Sequence, residues 1–143
     1  MKSHLRLFDM ATRRAETLLL HDGHIEAPNW HPDGKSLIVN GGGRLYRVPL
    51  DTRDLHRIDT GFALDCNNDH GITPDGATIL LSDSTEDGQS AVYTMAARGG
   101  HPLRVTPNVP SYWHGVSPNG RELAFVGNRG EGWGARPRMW CAT

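Results

Sequence analysis

With 143 residues the chain is long enough for one ordinary domain, and 37% hydrophobic with 22% charged residues suits a folded globular protein. A formal net charge of −1, from 15 basic and 16 acidic residues, argues against a broad basic face and so against nucleic acid as a partner. No apolar run reaches the roughly 18 residues that a membrane span needs, and the first seven residues hold no signal-peptide core. A cytoplasmic protein is expected, with a periplasmic one the alternative if an export signal precedes this sequence.

In chain order, residues 5–9 and 15–20 read as two short strands. A segment at 27–30 then runs into Pro32-Asp33-Gly34, followed by an apolar strand at 36–39, an alternating strand at 45–48 and a short strand at 55–58. The same order returns: 69–73, then Pro74-Asp75-Gly76, then strands at 78–81, 91–95 and 103–106. It begins a third time with 112–117, Pro118-Asn119-Gly120 and a strand at 122–126. Each turn has one chemistry. Proline presets φ, Asp or Asn bonds its own backbone, and glycine accepts positive φ. Period-two alternation marks half-buried antiparallel strands.

Pro32, Pro74 and Pro118 lie 42 and 44 residues apart, a period that signals β-propeller blades of four short strands. The expected fold is therefore all-β, a partial propeller of four-stranded antiparallel blades. It comprises a half-blade over 1–24, blades over 25–60 and 65–107, a half-blade over 110–127 and an irregular tail over 128–143. About three blades cannot close a ring that takes four to eight, so the chain reads as part of a longer propeller. Its unclosed blade faces make self-association an expectation.

The Trp-x-Pro-Asp-Gly-x-x-Leu core starting at Trp30 and the blade ending Gly99-Gly100-His101-Pro102-Leu103-Arg104-Val105-Thr106 resemble the TolB-type β-propeller repeat, over about residues 5–127. For TolB itself, which is periplasmic, the resemblance implies a protein-interaction role in envelope assembly. The blades are also similar to the propellers of prolyl-oligopeptidase-type peptidases, whose serine sits in a separate domain. No Gly-x-Ser-x-Gly nucleophile elbow occurs in this sequence. Oligogalacturonate lyases have similar propellers too, and that likeness implies a histidine-rich manganese site for β-elimination.

His70 and His114 each lie four residues before their turn proline, the place held by Pro28 in the first copy. Equivalent positions in adjacent blades stand at one height around the axis, so both imidazoles are expected near the channel mouth. Asn68 and Asp69 flank one, Tyr112 and Trp113 the other, and these six form the expected ligand-binding set. Neutral imidazole suits divalent transition metals, so His70 and His114 are also the expected ligands if a metal binds; no other cofactor is expected. The competing reading makes both histidines packing residues between blades. His31 is expected to hydrogen-bond in its turn, and Trp30, Tyr46 and Tyr93 to fill gaps between blades. Cys66 and Cys141 form neither a disulfide framework nor a Cys-x-x-Cys pair, and Cys66 reads as a small apolar filler.

The leading functional expectation is a non-catalytic binding module with a protein or small ligand at its channel or loop face. The alternative is a metal-dependent carbohydrate-active enzyme of the oligogalacturonate-lyase kind.

Overall fold

A computed structural model describes residues 1–127 in full and the backbone of Arg138–Ala142. The described residues form strands and turns without a helix, so none spans a membrane as a helix. A hairpin, β1 (Lys2–Asp9) and β2 (Arg14–Asp22), comes first. Two four-stranded antiparallel sheets follow: β3 (Glu26–Trp30), β4 (Ser36–Gly41), β5 (Arg44–Pro49) and β6 (His56–Arg57), then β7 (Cys66–Ile72), β8 (Thr78–Asp83), β9 (Ala91–Ala96) and β10 (Leu103–Arg104). The last sheet holds β11 (Ser111–Val116), β12 (Leu123–Gly127) and β13 (Arg138–Ala142).

The three repeated turns are built alike. Gly34, Gly76 and Gly120 donate to the carbonyls of His31, Thr73 and Ser117 at 2.9, 2.8 and 2.8 Å. All three glycines have φ near +70°, the left-handed region that costs an L-residue roughly 1–2 kcal/mol. The carboxylates of Asp33 and Asp75 and the amide oxygen of Asn119 each accept from the backbone N–H two residues on, at 2.8, 3.0 and 3.0 Å. The residue before the proline completes the device. Thr73 and Ser117 donate to Asp75 and Asn119 at 2.6 Å, and His31 lies 2.9 Å from Asp33.

Each turn delivers an inner strand into the second strand of its sheet. The inner strands β3, β7 and β11 touch in succession, which sets the sheets around one axis. The second strands are covered on both faces. Leu37 and Val39 of β4 pack with Leu5 and Leu18 of the hairpin, whereas Ile38 packs with Ile79 and Leu81 of β8. Leu80 of β8 turns the other way, toward Trp113 and Phe125. Every residue of β4 is buried for this reason, and each fully buried Leu, Ile or Val contributes about 1.5–3 kcal/mol. Cys66 sits in the same packing, its thiol pushed up to about 12 by burial first and by Asp83 second.

Two expectations change. Trp30 is not core: it is 54% exposed, because its side of β3 looks toward a preceding blade of which this chain supplies only the β1–β2 hairpin. Tyr93 is buried and Tyr46 packs at the edge of the hairpin cluster. In the segment expected to be irregular, the backbone of β13 pairs antiparallel with β12, Phe125 opposite Trp140. The edge of β12 presents main-chain donors and acceptors for this pairing.

Candidate functional site

The site grows from an irregularity shared by the inner strands. Between Glu26 and Asn29, three steps of β3 oppose two of β4; between Cys66 and His70, four steps of β7 oppose two of β8; between Trp113 and Gly115, two steps of β11 oppose one of β12. These are β-bulges, which re-aim side chains and recur beside functional sites. In β7, the Asn67 side-chain oxygen accepts from Asp69 N–H at 2.9 Å while its amide reaches Ser90 Oγ at 3.3 Å. Ala27 marks the bulge in β3 with φ of 50°.

The bulges separate the two histidines that the spacing equates. His70 pairs with Leu81, seven residues after its turn proline; in the third copy that rung, Phe125, pairs with Trp113. Trp113 is thus the structural counterpart of His70, and His114 is the extra residue of its bulge. A one-residue slip sends a side chain to the other face of a strand. His70 is 1% exposed, with Nε2 3.5 Å from the Ile38 carbonyl of the preceding sheet. Its Nδ1 has no partner of good hydrogen-bond geometry. Burial holds this imidazole below its ordinary pKa, against the opposing pull of the Ile38 and Asn67 carbonyls and Glu26. Its own carbonyl accepts from Asn29 Nδ2 at 3.0 Å, a second tie between neighbouring inner strands.

His114 stands in the open, its side chain 53% exposed. Its Nδ1 lies 4.0 Å from Asp69 Oδ1 on the adjacent inner strand. Asp69 is half-buried; burial raises its pKa and His114 acts in the opposite direction. Asn68 is exposed beside it, and Tyr112 is 36% exposed one strand over. Trp113 is buried: its backbone N–H donates to Ser82 Oγ at 2.9 Å and its indole ring lies against Gly71. The fold therefore brings Asp69 and His114 together across adjacent inner strands, leaves Asn68 and Tyr112 exposed, and sends His70 and Trp113 into the seams between sheets.

The described residues contain no group of three or more His, Cys, Asp or Glu spaced to hold a metal ion. The acidic loop after β8 is tied down by protein groups, with Tyr93 donating to Glu86 at 2.9 Å and Arg104 2.7 Å from Asp87. Sequence reasoning missed the tie made by Asn29. Its place three residues before Pro32 was the available signal, but the bulges blur alignment at that point.

Inner strands around an axis, repeated Pro-Asp/Asn-Gly turns and sheets wedged face to face define a β-propeller. The TolB beta propeller domain matches residues 1–135, and the chain belongs to that family. It is 46% identical over 130 residues to an uncharacterized protein of Agrobacterium fabrum, covering 90% of this chain and 44% of that protein. It is 33% identical over 57 residues to the Tol-Pal system protein TolB of Ruthia magnifica, covering 37% of this chain and 13% of the relative. A solved protein from Agrobacterium tumefaciens, described as a candidate TolB, superimposes with a TM-score of 0.84 at 47% identity, covering 85% of this chain and 44% of its own. TolB from Acinetobacter baumannii shares the fold with a TM-score of 0.77 at 22% identity, over 96% of this chain and 34% of that one. The chain thus spans less than half the length of these proteins.

Proposed function

We propose that the chain is a non-catalytic binding module. Its partner, a protein segment presenting a hydrogen-bond donor, docks on the open face of the inner strands at Asp69 and His114. One observation carries the reading: a half-buried carboxylate of one inner strand faces an exposed imidazole of the next, 4.0 Å away, at bulged positions. A partly desolvated carboxylate needs donors, and His114, 4.0 Å away, is beyond hydrogen-bond distance of it. Asn68 and Tyr112 are exposed on the same two inner strands. Membership of a family that includes a Tol-Pal system protein supports a protein partner and lends no support to the cytoplasmic expectation.

A displayed library of random peptides, selected on the wild-type chain, tests this. Peptides rich in Lys, Arg or free amino termini are expected, with binding weakened at least tenfold by Asp69→Ala or His114→Ala. Selected peptides indifferent to both changes would overturn the assignment.

A further inference from the structure

We propose that Asn29 is the positioning residue of the Asp69–His114 pair: its side-chain amide fastens the bulges of two neighbouring inner strands together and so sets where Asp69 stands. This role rests on the binding reading above and adds to it a residue from a third inner strand, outside the pair itself. The strands it joins, β3 and β7, each belong to a four-stranded sheet. A side-chain amide nitrogen carries two hydrogens. Asn29 Nδ2 donates to two main-chain carbonyls, that of Ala27 on its own strand and that of His70 on the next, each at 3.0 Å. Both acceptors sit at irregular points. Ala27 holds φ of 50°, a left-handed conformation that a residue with a Cβ keeps only where its surroundings enforce it. His70 closes the β7 bulge. The register with β8 passes from Cys66 straight to His70, so Asn67, Asn68 and Asp69 have no rung opposite them.

Residues without a rung are not fixed by the ladder. They are fixed here at the two ends of the bulge. At one end the Asn67 side chain accepts from Asp69 N–H at 2.9 Å and donates to Ser90 Oγ at 3.3 Å. At the other, Asn29 holds the His70 carbonyl across the seam. Asp69 stands between these two fasteners, its carboxylate 4.0 Å from His114. The fastening works against a pull. A half-buried carboxylate gains by swinging out into water, and a bulge without rungs lets it do so. The later copies make the contrast. Three residues before Pro74 and Pro118 stand Gly71 and Gly115, where Asn29 stands before Pro32. The Trp113 indole occupies the space over Gly71. The seam between β3 and β7 is thus tied by a polar side chain, whereas the seam between β7 and β11 is filled by a ring. Asn29→Gly installs the residue that two copies already carry at this place. Asn29→Asp keeps the shape and removes the donor.

The test measures position separately from stability. Asp69→Cys and His114→Cys are joined by a short or a long bis-maleimide, in a Cys141→Ser background with Cys66 buried. The ratio of short to long linkage within one chain reports where residue 69 stands. Asn29→Gly and Asn29→Asp are each expected to lower that ratio about tenfold, the weight of one hydrogen bond, while the long linker still joins the pair. Gly34→Ala, which strains the first turn in open space, is expected to leave the ratio unchanged. With Asp69 and His114 intact, the two Asn29 changes are expected to weaken the selected peptides by a similar factor. Two results would overturn the proposal: an unchanged ratio in both Asn29 variants, or an equal loss of short and long linkage, which would make Asn29 a general support of the fold. A wild-type chain that selects no peptide would defeat the binding reading alone, and the linkage ratio would still decide the role of Asn29.

Discussion

At the scale of single residues, the fold divides work between two neighbours. His70 is buried and neutral between sheets; Asp69 faces out toward His114. Their pH effects have opposite signs. The folded pKa of His70 is depressed, so its stabilising contribution is full above about 6.5 and is lost as pH falls through the folded value. His70→Gln should flatten the decline in urea midpoint between pH 7 and 5; a decline as steep as wild type would exclude His70 as its source. The folded pKa of Asp69 is raised, so its charged form opposes folding above 3.8. Asp69→Asn is expected to raise the melting temperature at pH 7 while abolishing peptide binding, a stability gain bought with function. Thermal melts at pH 7 and 3 check the sign, since the gain should disappear at the lower pH. Gly71 is a third test. A Cβ there would overlap the Trp113 indole, and Gly71→Ala should cost about 1–3 kcal/mol by overpacking. A neutral result in urea unfolding would show that the indole moves aside freely.

At the scale of elements, the turns were legible and the bulges were not. A Pro-Asp-Gly turn is a local object: its φ restriction, its side-chain-to-backbone bond and its positive-φ glycine all lie within a few residues. Pro32-Asp33-Gly34 and its two later copies could therefore be read directly. Gly34 has open space where a Cβ would go, so Gly34→Ala isolates the cost of left-handed φ. About 1 kcal/mol is expected by denaturant unfolding; no loss would mean the turn relaxes. A bulge, by contrast, is defined by the strand opposite. Equal distance from proline made His70 and His114 look equivalent, but pairing with β8 and β12 makes Trp113 the counterpart of His70. Counting along one strand cannot detect an extra residue. Asp69 and His114 were both singled out, yet their meeting across two sheets was invisible for the same reason.

At the scale of the molecule, the 42- and 44-residue spacing was enough for the architecture, because each repeat must bury its faces against the next. The apolar second strands record this directly, since β4 and β8 lie between neighbours on both sides. Trp30 shows where that logic stops. Its residue type fits a filled seam, but burial depends on a preceding inner strand that this chain does not supply. Fold and family follow from the repeat; the binding face follows from how inner strands of successive sheets meet. That meeting is tested most directly by joining Asp69→Cys to His114→Cys, in a Cys141→Ser background with Cys66 buried. A short bis-maleimide is applied to dilute protein and the monomer band is mapped by peptide mass. The account predicts a link between residues 69 and 114 within one chain. Single labelling of both cysteines without any link would contradict it.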